Sequence, residues 1–240
     1  MAANEDILPP GKIINLRWKV DKKLGKGCCG AVYKVIDLEK KPPGKAALKT
    51  EKHGDDKSLA VLKKEVDVLQ KLKERKHVPR LICSGRRNEY DYFVMTLLGK
   101  NLFELKKECN AGVFSAGCVS RVAVFVLYGI KQLHEIGYLH RDIKPANMVI
   151  GRGKDNRIIY VIDYGMARKF GIWENGVVRH RKARDSVLLR GTHRYCSPFV
   201  HERIEQGRRD DIFSMLYSLI FLHIGTLPWV GIKDVCFFVF

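Results

Sequence analysis

The sequence has no apolar run long enough to cross a membrane. Its most hydrophobic stretch, residues 212–224, is interrupted by two serines and a histidine, whereas a membrane-spanning helix needs about 20 apolar residues. The N-terminal segment MAANEDILPPGK also has no apolar core of the kind that a signal peptide requires. We therefore expect no membrane partner, and we interpret residues 212–224 as a helix of the protein core.

Cysteine pairs of the CxxC type are also missing. The seven cysteines are scattered along the chain, and their spacing fits neither a zinc site nor a disulfide framework. Free thiols are typical of the reducing cytosol and nucleus. We therefore predict a cytoplasmic protein that can also enter the nucleus.

Acidic residues are few relative to basic ones. The chain has 26 aspartates and glutamates against 44 lysines and arginines, a net charge of +18. Such an excess favours anionic partners, among them nucleic acids, acidic proteins and phosphate-bearing ligands. Charge is the only feature that points to nucleic acid, because the sequence has no RNP, zinc-finger or helix-turn-helix signature. We therefore expect no specific nucleic acid as a partner.

The hydrophobic pattern changes near residue 98. Before it, short β-rich segments surround one amphipathic helix, in which apolar residues recur every three or four positions. After it the pattern is mainly helical, apart from an irregular stretch at about 139–200 that holds most of the polar functional residue types. The predicted strands are 18–24, 31–38, 45–50, 81–84, 92–97 and 158–162, and the predicted helices are 57–75, 102–109, 115–136 and 209–224.

A glycine-rich segment, Gly25-Lys-Gly-Cys-Cys-Gly30-Ala-Val32, joins the first two predicted strands. Glycines in such a turn let backbone N–H groups approach phosphate oxygens without clashes from a Cβ atom. A Rossmann-type site requires a helix after the turn, and here a second strand follows instead. An ordinary glycine-rich hairpin remains the alternative for this segment taken alone.

A lysine and a glutamate follow at positions where they can pair. Lys49 lies in the third predicted strand, in Ala46-Ala-Leu-Lys49, and Glu65 lies 16 residues later in the predicted helix. The lysine can reach phosphates held under the glycine hairpin, and Glu65 would orient it. A solvated helix charge is the alternative for Glu65, but its place at the edge of the apolar stripe favours pairing.

The most specific element is His140-Arg-Asp-Ile-Lys-Pro-Ala-Asn147. It combines a hydroxyl acceptor (Asp142), a phosphate-facing cation (Lys144) and a metal ligand (Asn147). Asp163-Tyr-Gly165 follows after a short predicted strand, and a carboxylate at such a bend can hold Mg²⁺ against nucleotide phosphates. A plain Asp-x-Gly turn is the alternative for this last segment alone, but its order after the other motifs favours a metal site.

Together these motifs resemble the protein kinase family. The resemblance covers about residues 17–233, and Arg190-Gly-Thr-His-Arg-Tyr-Cys-Ser-Pro198 stands where most members carry A-P-E. That replacement is similar to the casein kinase I group. The segments most similar to its tau-tubulin kinase subgroup are Val61-Leu-Lys-Lys-Glu-Val-Asp-Val-Leu69, Leu98-Gly-Lys-Asn-Leu102, Gly207-Arg-Arg-Asp-Asp211 and Leu227-Pro-Trp229.

The resemblance implies an α+β, bilobal fold made of one kinase domain, residues 1–240. Its antiparallel β lobe with one helix would span 17–98, and its mainly helical lobe would span 99–240. The implied activity is that of a serine/threonine protein kinase, which transfers the γ-phosphate of ATP to serine or threonine hydroxyls of proteins with the help of Mg²⁺. The family continues with further helices after the position of Trp229, so we expect a truncated form without the terminal helices.

The resemblance also implies a role for each motif residue. Asp142 would accept or orient the substrate hydroxyl proton, and Lys144 would stabilise the transferring phosphoryl group. Lys49 would grip the α- and β-phosphates and pair with Glu65, while Asp211 would brace the catalytic loop. The implied metal ligands are Asn147 and Asp163, and the implied ATP contacts are Leu24, Gly25, Gly27, Cys28, Gly30, Val32, Ala47, Lys49, Met95 (the gatekeeper) and Leu98.

Some residues depart from the family pattern. Tyr164 replaces the usual phenylalanine of D-F-G, and its hydroxyl needs a partner if it is buried. The basic segment 179–184 either binds an acidic or phospho-primed protein substrate or is a solvated loop. Arg194 matches an arginine of the family's anion site, but the expected lysine of that site has no clear counterpart.

Two functions therefore stay open at this stage. The first is an active kinase, which we expect to be a monomer. The alternative is a pseudokinase or scaffold that binds without turnover, suggested by Tyr164 and by the short C-terminal part. The catalytic positions are all filled in the sequence, which favours the enzyme.

Overall fold

The structure is a computed structural model that describes residues 7–27, 30–53, 59–175 and 177–231. Cys28 and Cys29 of the glycine segment, the predicted helix start at residue 57 and the last nine residues lie outside these ranges. The chain divides into two units. The first unit is Met1–Lys73 with Pro79–Leu98, and the second is Glu74–Val78 with Gly99–Phe240.

An antiparallel sheet forms the frame of the first unit. Its strands are β1 (Ile13–Ile14), β2 (Trp18–Gly27), β3 (Gly30–Asp37), β4 (Gly44–Lys52), β5 (Leu81–Arg86) and β6 (Tyr90–Thr96). They lie in the order β1-β2-β3-β4-β6-β5. The strands predicted in this part of the chain are confirmed, with β2 extending through the first glycines of the hairpin.

Alternation along the strands gives the sheet two faces. In β3 the buried residues Ala31, Tyr33 and Val35 alternate with half-buried ones. The buried set packs with Trp18 and Leu48 in a core on one face. The other face carries Lys49, because Lys49 pairs with Val32, a residue of the half-buried set.

Helix α1 (Leu59–Lys71) packs against β4, β5 and β6 of this sheet. Its apolar stripe, which predicts the helix from sequence, is buried at Leu62, Leu69 and the following Leu72. The helix ends four residues before the predicted end at residue 75. The Lys73 N–H bonds to the Gln70 carbonyl, three residues back, so the last turn tightens before the chain leaves the first unit.

The described part of the second unit contains the helices α2 (Leu102–Glu108), α3 (Ala116–Glu135), α4 (Pro198–His201) and α5 (Arg208–Ile224). At the start of α2, the Asn101 side chain accepts the Glu104 N–H at 2.9 Å, and Glu104 accepts the Asn101 N–H at 3.1 Å. At the end of α5, Gly225 adopts a left-handed φ of 98°, which glycine tolerates without strain. The three helices predicted in this region, which correspond to α2, α3 and α5, are confirmed, and their ends lie within one residue of the predicted ends.

The core of the second unit lies between α3 and α5. Val122, Val126 and Ile130 of α3 share one apolar cluster with Met215 and Leu222 of α5. By length and composition alone, α3 is apolar enough to span a bilayer, a property that the sequence analysis, which considered residues 212–224, did not identify. Core helices of soluble proteins meet the same criterion, and this packing accounts for the apolar residues on its buried side.

Short strands occupy the stretch for which the sequence predicts irregular structure. They form the antiparallel pairs β7 (Tyr138–Leu139) with β10 (Arg168–Lys169), β8 (Met148–Ile150) with β9 (Ile159–Val161), and β11 (Gly171–Glu174) with β12 (Val177–His180). Only β9 matches a predicted strand, the one at 158–162. Strands this short contain too few residues for an alternating pattern to be recognised in the sequence.

A partly buried ion pair lies in the first unit, with the Arg17 side chain 28% exposed. Arg17 donates from Nε to Oδ1 and from Nη2 to Oδ2 of Asp37, both at 2.9 Å. The Asp37 side chain is 3% exposed. The hydrogen bond from Arg17 lowers the pKa of the Asp37 carboxyl, although burial opposes the shift.

We predict that Arg17→Met lowers the free energy of unfolding by about 2 kcal/mol at neutral pH, because Asp37 would stay buried without its partner. Since the pKa of Asp37 is lower in the folded than in the unfolded chain, the stabilisation is present above the unfolded pKa and lost as the pH falls through the folded pKa. Urea unfolding measures both effects. The Arg17→Met/Asp37→Asn double variant should be more stable than the sum of the single changes predicts; equal stability of Arg17→Met and wild type at neutral pH would contradict the assignment.

Candidate active site

In the first unit, the predicted lysine–glutamate pair is present. The Lys49 Nζ atom on β4 lies 2.6 Å from Oε2 of Glu65 on α1. The Glu65 side chain is 2% exposed and that of Lys49 is 15% exposed. A buried carboxylate thus fixes the direction of a partly accessible ammonium group, as an anion-binding lysine requires.

The residues predicted to contact ATP from β3, β4 and β6 share the sheet face that carries Lys49. Val32 is the cross-strand partner of Lys49, and Ala47 is that of Met95. Ala47 and Lys49 are two residues apart on one strand, so all four side chains project to the same side. Leu98 is half-buried just after β6, and Leu24 is 46% exposed at the start of the glycine segment.

The glycine hairpin is formed by β2 and β3, in which Gly25 pairs with Val32 and Gly27 with Gly30. Gly30 has a φ of 148°, and a Cβ atom there would lie 1.8 Å from the Thr50 carbonyl oxygen. Only glycine fits this close approach of two backbones. Cys28, between the paired glycines, lies outside the described residues.

In the second unit, Asp142 is the centre of a polar cluster. Its Oδ1 accepts hydrogen bonds from Thr192, from Oγ1–H at 2.7 Å and from the backbone N–H at 3.1 Å. Its Oδ2 lies 2.7 Å from the Lys144 Nζ atom, which also donates to the Thr192 Oγ1 at 3.0 Å. The carboxylate is therefore held in one orientation beside a cation.

Asn147 and Asp163 come together through the backbone. The Asn147 Nδ2 donates to the Asp142 carbonyl at 2.9 Å, and the Asn147 carbonyl accepts the Ile162 N–H at 3.0 Å. Asp163 follows with φ 69° and ψ 70°, a left-handed conformation that non-glycine residues adopt mainly at functional or strained sites.

This pair of residues suits Mg²⁺. The Asn147 amide uses its nitrogen within the loop, so its oxygen is the atom suited to a ligand, and Asp163 adds a carboxylate. Oxygen donors of these two kinds are the ones that Mg²⁺ prefers. In the described parts of the chain, no group of three or more His, Cys, Asp or Glu side chains could hold a metal.

Tyr164 has the hydroxyl partner that its burial requires. It is 4% exposed, and its hydroxyl donates to the Val161 carbonyl at 2.8 Å. Its ring packs against His140 with a centroid distance of 5.5 Å. Tyrosine at this position is therefore compatible with a packed Asp163-Tyr-Gly165 segment.

Asp211, at the N-terminal end of α5, holds the loop that carries Asp142. Its carboxylate accepts the backbone N–H groups of His140 and Arg141, both at 2.8 Å, and contacts His134 Nε2 at 2.8 Å. Burial by itself would raise the pKa of the Asp211 carboxyl. The hydrogen bonds from His134 and the loop outweigh it and hold the pKa below its ordinary value.

Comparison with known proteins identifies the family of the chain. A family model described as "Protein kinase domain" matches residues 18–236. The chain belongs to the protein kinase family. The α+β fold predicted for it, with an antiparallel N-terminal sheet and a mainly helical remainder, is confirmed.

Several curated kinases are similar to the chain. It is 40% identical over 96% of its length to a Caenorhabditis elegans protein named "Putative serine/threonine-protein kinase", and 42% identical over 93% to a Dictyostelium discoideum protein named "Probable serine/threonine-protein kinase". A further C. elegans protein, named "Putative casein kinase I", is 34% identical over 94%. The chain spans 66%, 44% and 65% of these three relatives.

Sequence reasoning missed one residue of the kinase site, Thr192. It lies 50 residues after Asp142, whose carboxylate it contacts twice. It belongs to the Arg190–Pro198 segment, which the resemblance identified by position only. The sequence signal that could have pointed to Thr192 was the presence of a threonine in that segment.

The basic segment 179–184 is exposed along its whole length. Arg184 binds Glu205, with Nε 2.6 Å from Oε2, and Arg168 approaches the same carboxylate at 3.4 Å.

Burial, with added repulsion from Arg168 and Arg184, lowers the pKa of the Arg141 guanidinium group to about 10. The Arg194 side chain is exposed.

We predict that Asp211→Ala lowers the free energy of unfolding by about 3 kcal/mol, because two backbone N–H groups would lose their acceptor inside the protein. The matched change Asp185→Ala removes an exposed carboxylate and should change stability by less than about 0.5 kcal/mol. Urea unfolding at neutral pH gives both values. The assignment fails if the two variants are equally stable.

Proposed function

We propose that this protein is an active serine/threonine kinase that transfers the γ-phosphate of ATP to serine or threonine hydroxyls of protein substrates. The observation that carries the proposal is the Asp142 carboxylate, fixed by Thr192 and placed 2.7 Å from the Lys144 ammonium group. A hydroxyl acceptor beside a phosphate-binding cation is what phosphoryl transfer requires. Family membership supports the same activity.

Phosphoryl transfer depends on positioning and on electrostatic stabilisation more than on covalent catalysis. Asp142 would orient the substrate hydroxyl and accept its proton. Lys144 would stabilise negative charge on the transferring phosphoryl group. Because Thr192 bonds to both side chains, it would keep acceptor and cation in register.

In the first unit, Lys49 would bind the α- and β-phosphates in the direction set by Glu65. The glycine hairpin would cover the phosphates, because glycines have no Cβ atom that would keep the backbone N–H groups away from the phosphate oxygens. Val32, Ala47 and Met95, on the face that carries Lys49, would contact the adenine ring.

Asn147 and Asp163 would hold Mg²⁺, as their oxygen donors allow. The ion, when bound, neutralises charge on the phosphate oxygens. The residues of the chain contribute the geometry: the Asn147 amide is tied to the Asp142 carbonyl, so the metal ligand and the hydroxyl acceptor belong to one rigid loop.

Within the family, we propose membership of the casein kinase I group and, more narrowly, of the tau-tubulin kinase subgroup. The 34% identical relative named for casein kinase I supports the group, as does the Arg190–Pro198 segment in place of A-P-E. The subgroup rests on sequence segments such as Gly207-Arg-Arg-Asp-Asp211. We further propose a monomeric protein of the cytoplasm, and also of the nucleus, that acts on acidic or phospho-primed substrates.

We predict that purified protein phosphorylates casein in the presence of Mg-ATP and that Asp142→Asn lowers kcat by at least about 100-fold, because the variant has no carboxylate to accept the proton of the substrate hydroxyl. Asp155→Asn, a change of the same kind outside the site, should keep the activity. Incorporation of labelled phosphate measures both rates. Chelation of Mg²⁺ should abolish incorporation, and equal rates for wild type and Asp142→Asn would overturn the catalytic assignment.

A thermal melt, combined with the phosphorylation assay, separates an active kinase from a binding module without turnover. Mg-ATP at 100 times its dissociation constant should raise the stability of the native protein by about 2.7 kcal/mol through mass action. The shift should be smaller for Lys49→Met, which lacks the phosphate-binding ammonium group. A shift without phosphorylation of any substrate would indicate the pseudokinase alternative.

A further inference from the structure

Glu51 is a buried carboxylate that the proposed reaction does not use. It lies on β4 two residues after Lys49 and is 4% exposed. Its Oε2 accepts the backbone N–H of Leu62, in α1, at 2.9 Å. Charged side chains are rarely buried to this degree unless a specific partner holds them.

The partner of Glu51 is the N-terminal end of a helix. Leu62 is the fourth described residue of α1 (Leu59–Lys71). The helix dipole places partial positive charge in the first turn of a helix. A carboxylate at this end is bound by a directed hydrogen bond and by the helix charge together.

The hydrogen bond between Glu51 and Leu62 joins the same strand and helix as the Lys49–Glu65 contact. Lys49 and Glu51 are two residues apart on β4 and project to the same side, while Leu62 and Glu65 are three apart on α1 and lie on one side of the helix. The strand thus contacts the helix twice, through Lys49 to Glu65 at 2.6 Å and through Glu51 to Leu62 at 2.9 Å. Two such contacts fix both the position and the rotation of α1 over the strand.

This arrangement carries an energetic cost. Among the described residues, the second oxygen of Glu51 has no hydrogen-bond partner. Asp91 lies directly across on β6, and the Nε2 atom of His53, two residues further along the chain, lies 3.1 Å from the Asp91 Oδ1 atom. Burial raises the pKa of the Glu51 carboxyl, the Leu62 N–H and Lys49 lower it, and Asp91 raises it further. An apolar residue would avoid the burial cost and the repulsion from Asp91, but it could not accept the Leu62 N–H.

We propose that Glu51 is a positioning residue of the kinase: by holding the N-terminal end of α1, it keeps Glu65 against Lys49 and so keeps Lys49 directed at the nucleotide phosphates. The inference rests on the proposed function, since the lysine must bind phosphate for its direction to matter. Glu51 itself touches neither substrate nor nucleotide in this proposal.

Three variants of the full chain test the role. Glu51→Ala removes the acceptor, Glu51→Asp keeps the charge but is one methylene too short to reach Leu62, and Glu51→Gln keeps an oxygen that accepts the same N–H. Glu89→Ala, which removes an exposed glutamate of the same unit, is the matched control.

The first measurement is hydrogen exchange of the Leu62 amide, which needs no catalysis. Exchange should become at least about 10-fold faster in Glu51→Ala and Glu51→Asp, because the loss of a hydrogen bond to a charged group is worth this much or more. It should stay within about 3-fold of wild type in Glu51→Gln and be unchanged in Glu89→Ala. An unchanged exchange rate of the Leu62 amide in Glu51→Ala would overturn the proposal. If the alanine variant does not fold, an unchanged rate in Glu51→Asp would overturn it instead.

The second measurement is phosphotransfer to casein at a temperature where every variant is folded. With saturating Mg-ATP, kcat should fall about 10-fold in Glu51→Ala and Glu51→Asp, and Glu51→Gln should recover most of it. Equal kcat values for wild type and folded Glu51→Ala, or equal losses in Glu51→Ala and Glu51→Gln, would reduce Glu51 to a stabilising residue and overturn the inference. Absence of phosphotransfer in wild type would overturn the proposed function instead, and the exchange data would still decide the contact.

Discussion

The loop at residues 139–147 carries Asp142, Lys144 and Asn147 in mostly irregular backbone, and its shape depends on hydrogen bonds to Asp211. Two successive N–H groups of the loop end on this one carboxylate. Because Asp211 belongs to α5, which packs against α3 in the core, the loop is fixed to the rigid helices. The orientation of the Asp142 carboxylate, on which the proposed chemistry rests, follows from that support and from Thr192.

The two units use buried carboxylates in the same way. In the first unit, Glu65 and Glu51 hold one lysine and one helix end, and in the second, Asp211 holds a loop. In each case at least one oxygen of the carboxylate accepts a hydrogen bond from the protein in place of water.

Much of this was predictable from sequence. Periodicity of three and four predicted α1, α3 and α5. The motifs that contain Lys49, Asp142 and Asp163, together with the resemblance to kinases, predicted a nucleotide site, which stays a prediction. Contacts between residues far apart in the chain were not predictable from pattern: Thr192 with Asp142, Glu205 with Arg184, and Glu51 with Leu62 depend on how strands and helices are brought together. The short strands β7, β8 and β10–β12 were missed because tertiary contacts, and not local alternation, form them.

We propose that Lys49 binds nucleotide phosphates and that Asn147 and Asp163 hold Mg²⁺. A crystal structure with Mg²⁺ and a non-hydrolysable ATP analogue tests this proposal most directly. We expect the Lys49 ammonium group against the α- and β-phosphates, and the Asn147 and Asp163 side chains on the ion. A nucleotide without contact to Lys49, or an ion without contact to Asn147 and Asp163, would contradict the proposal.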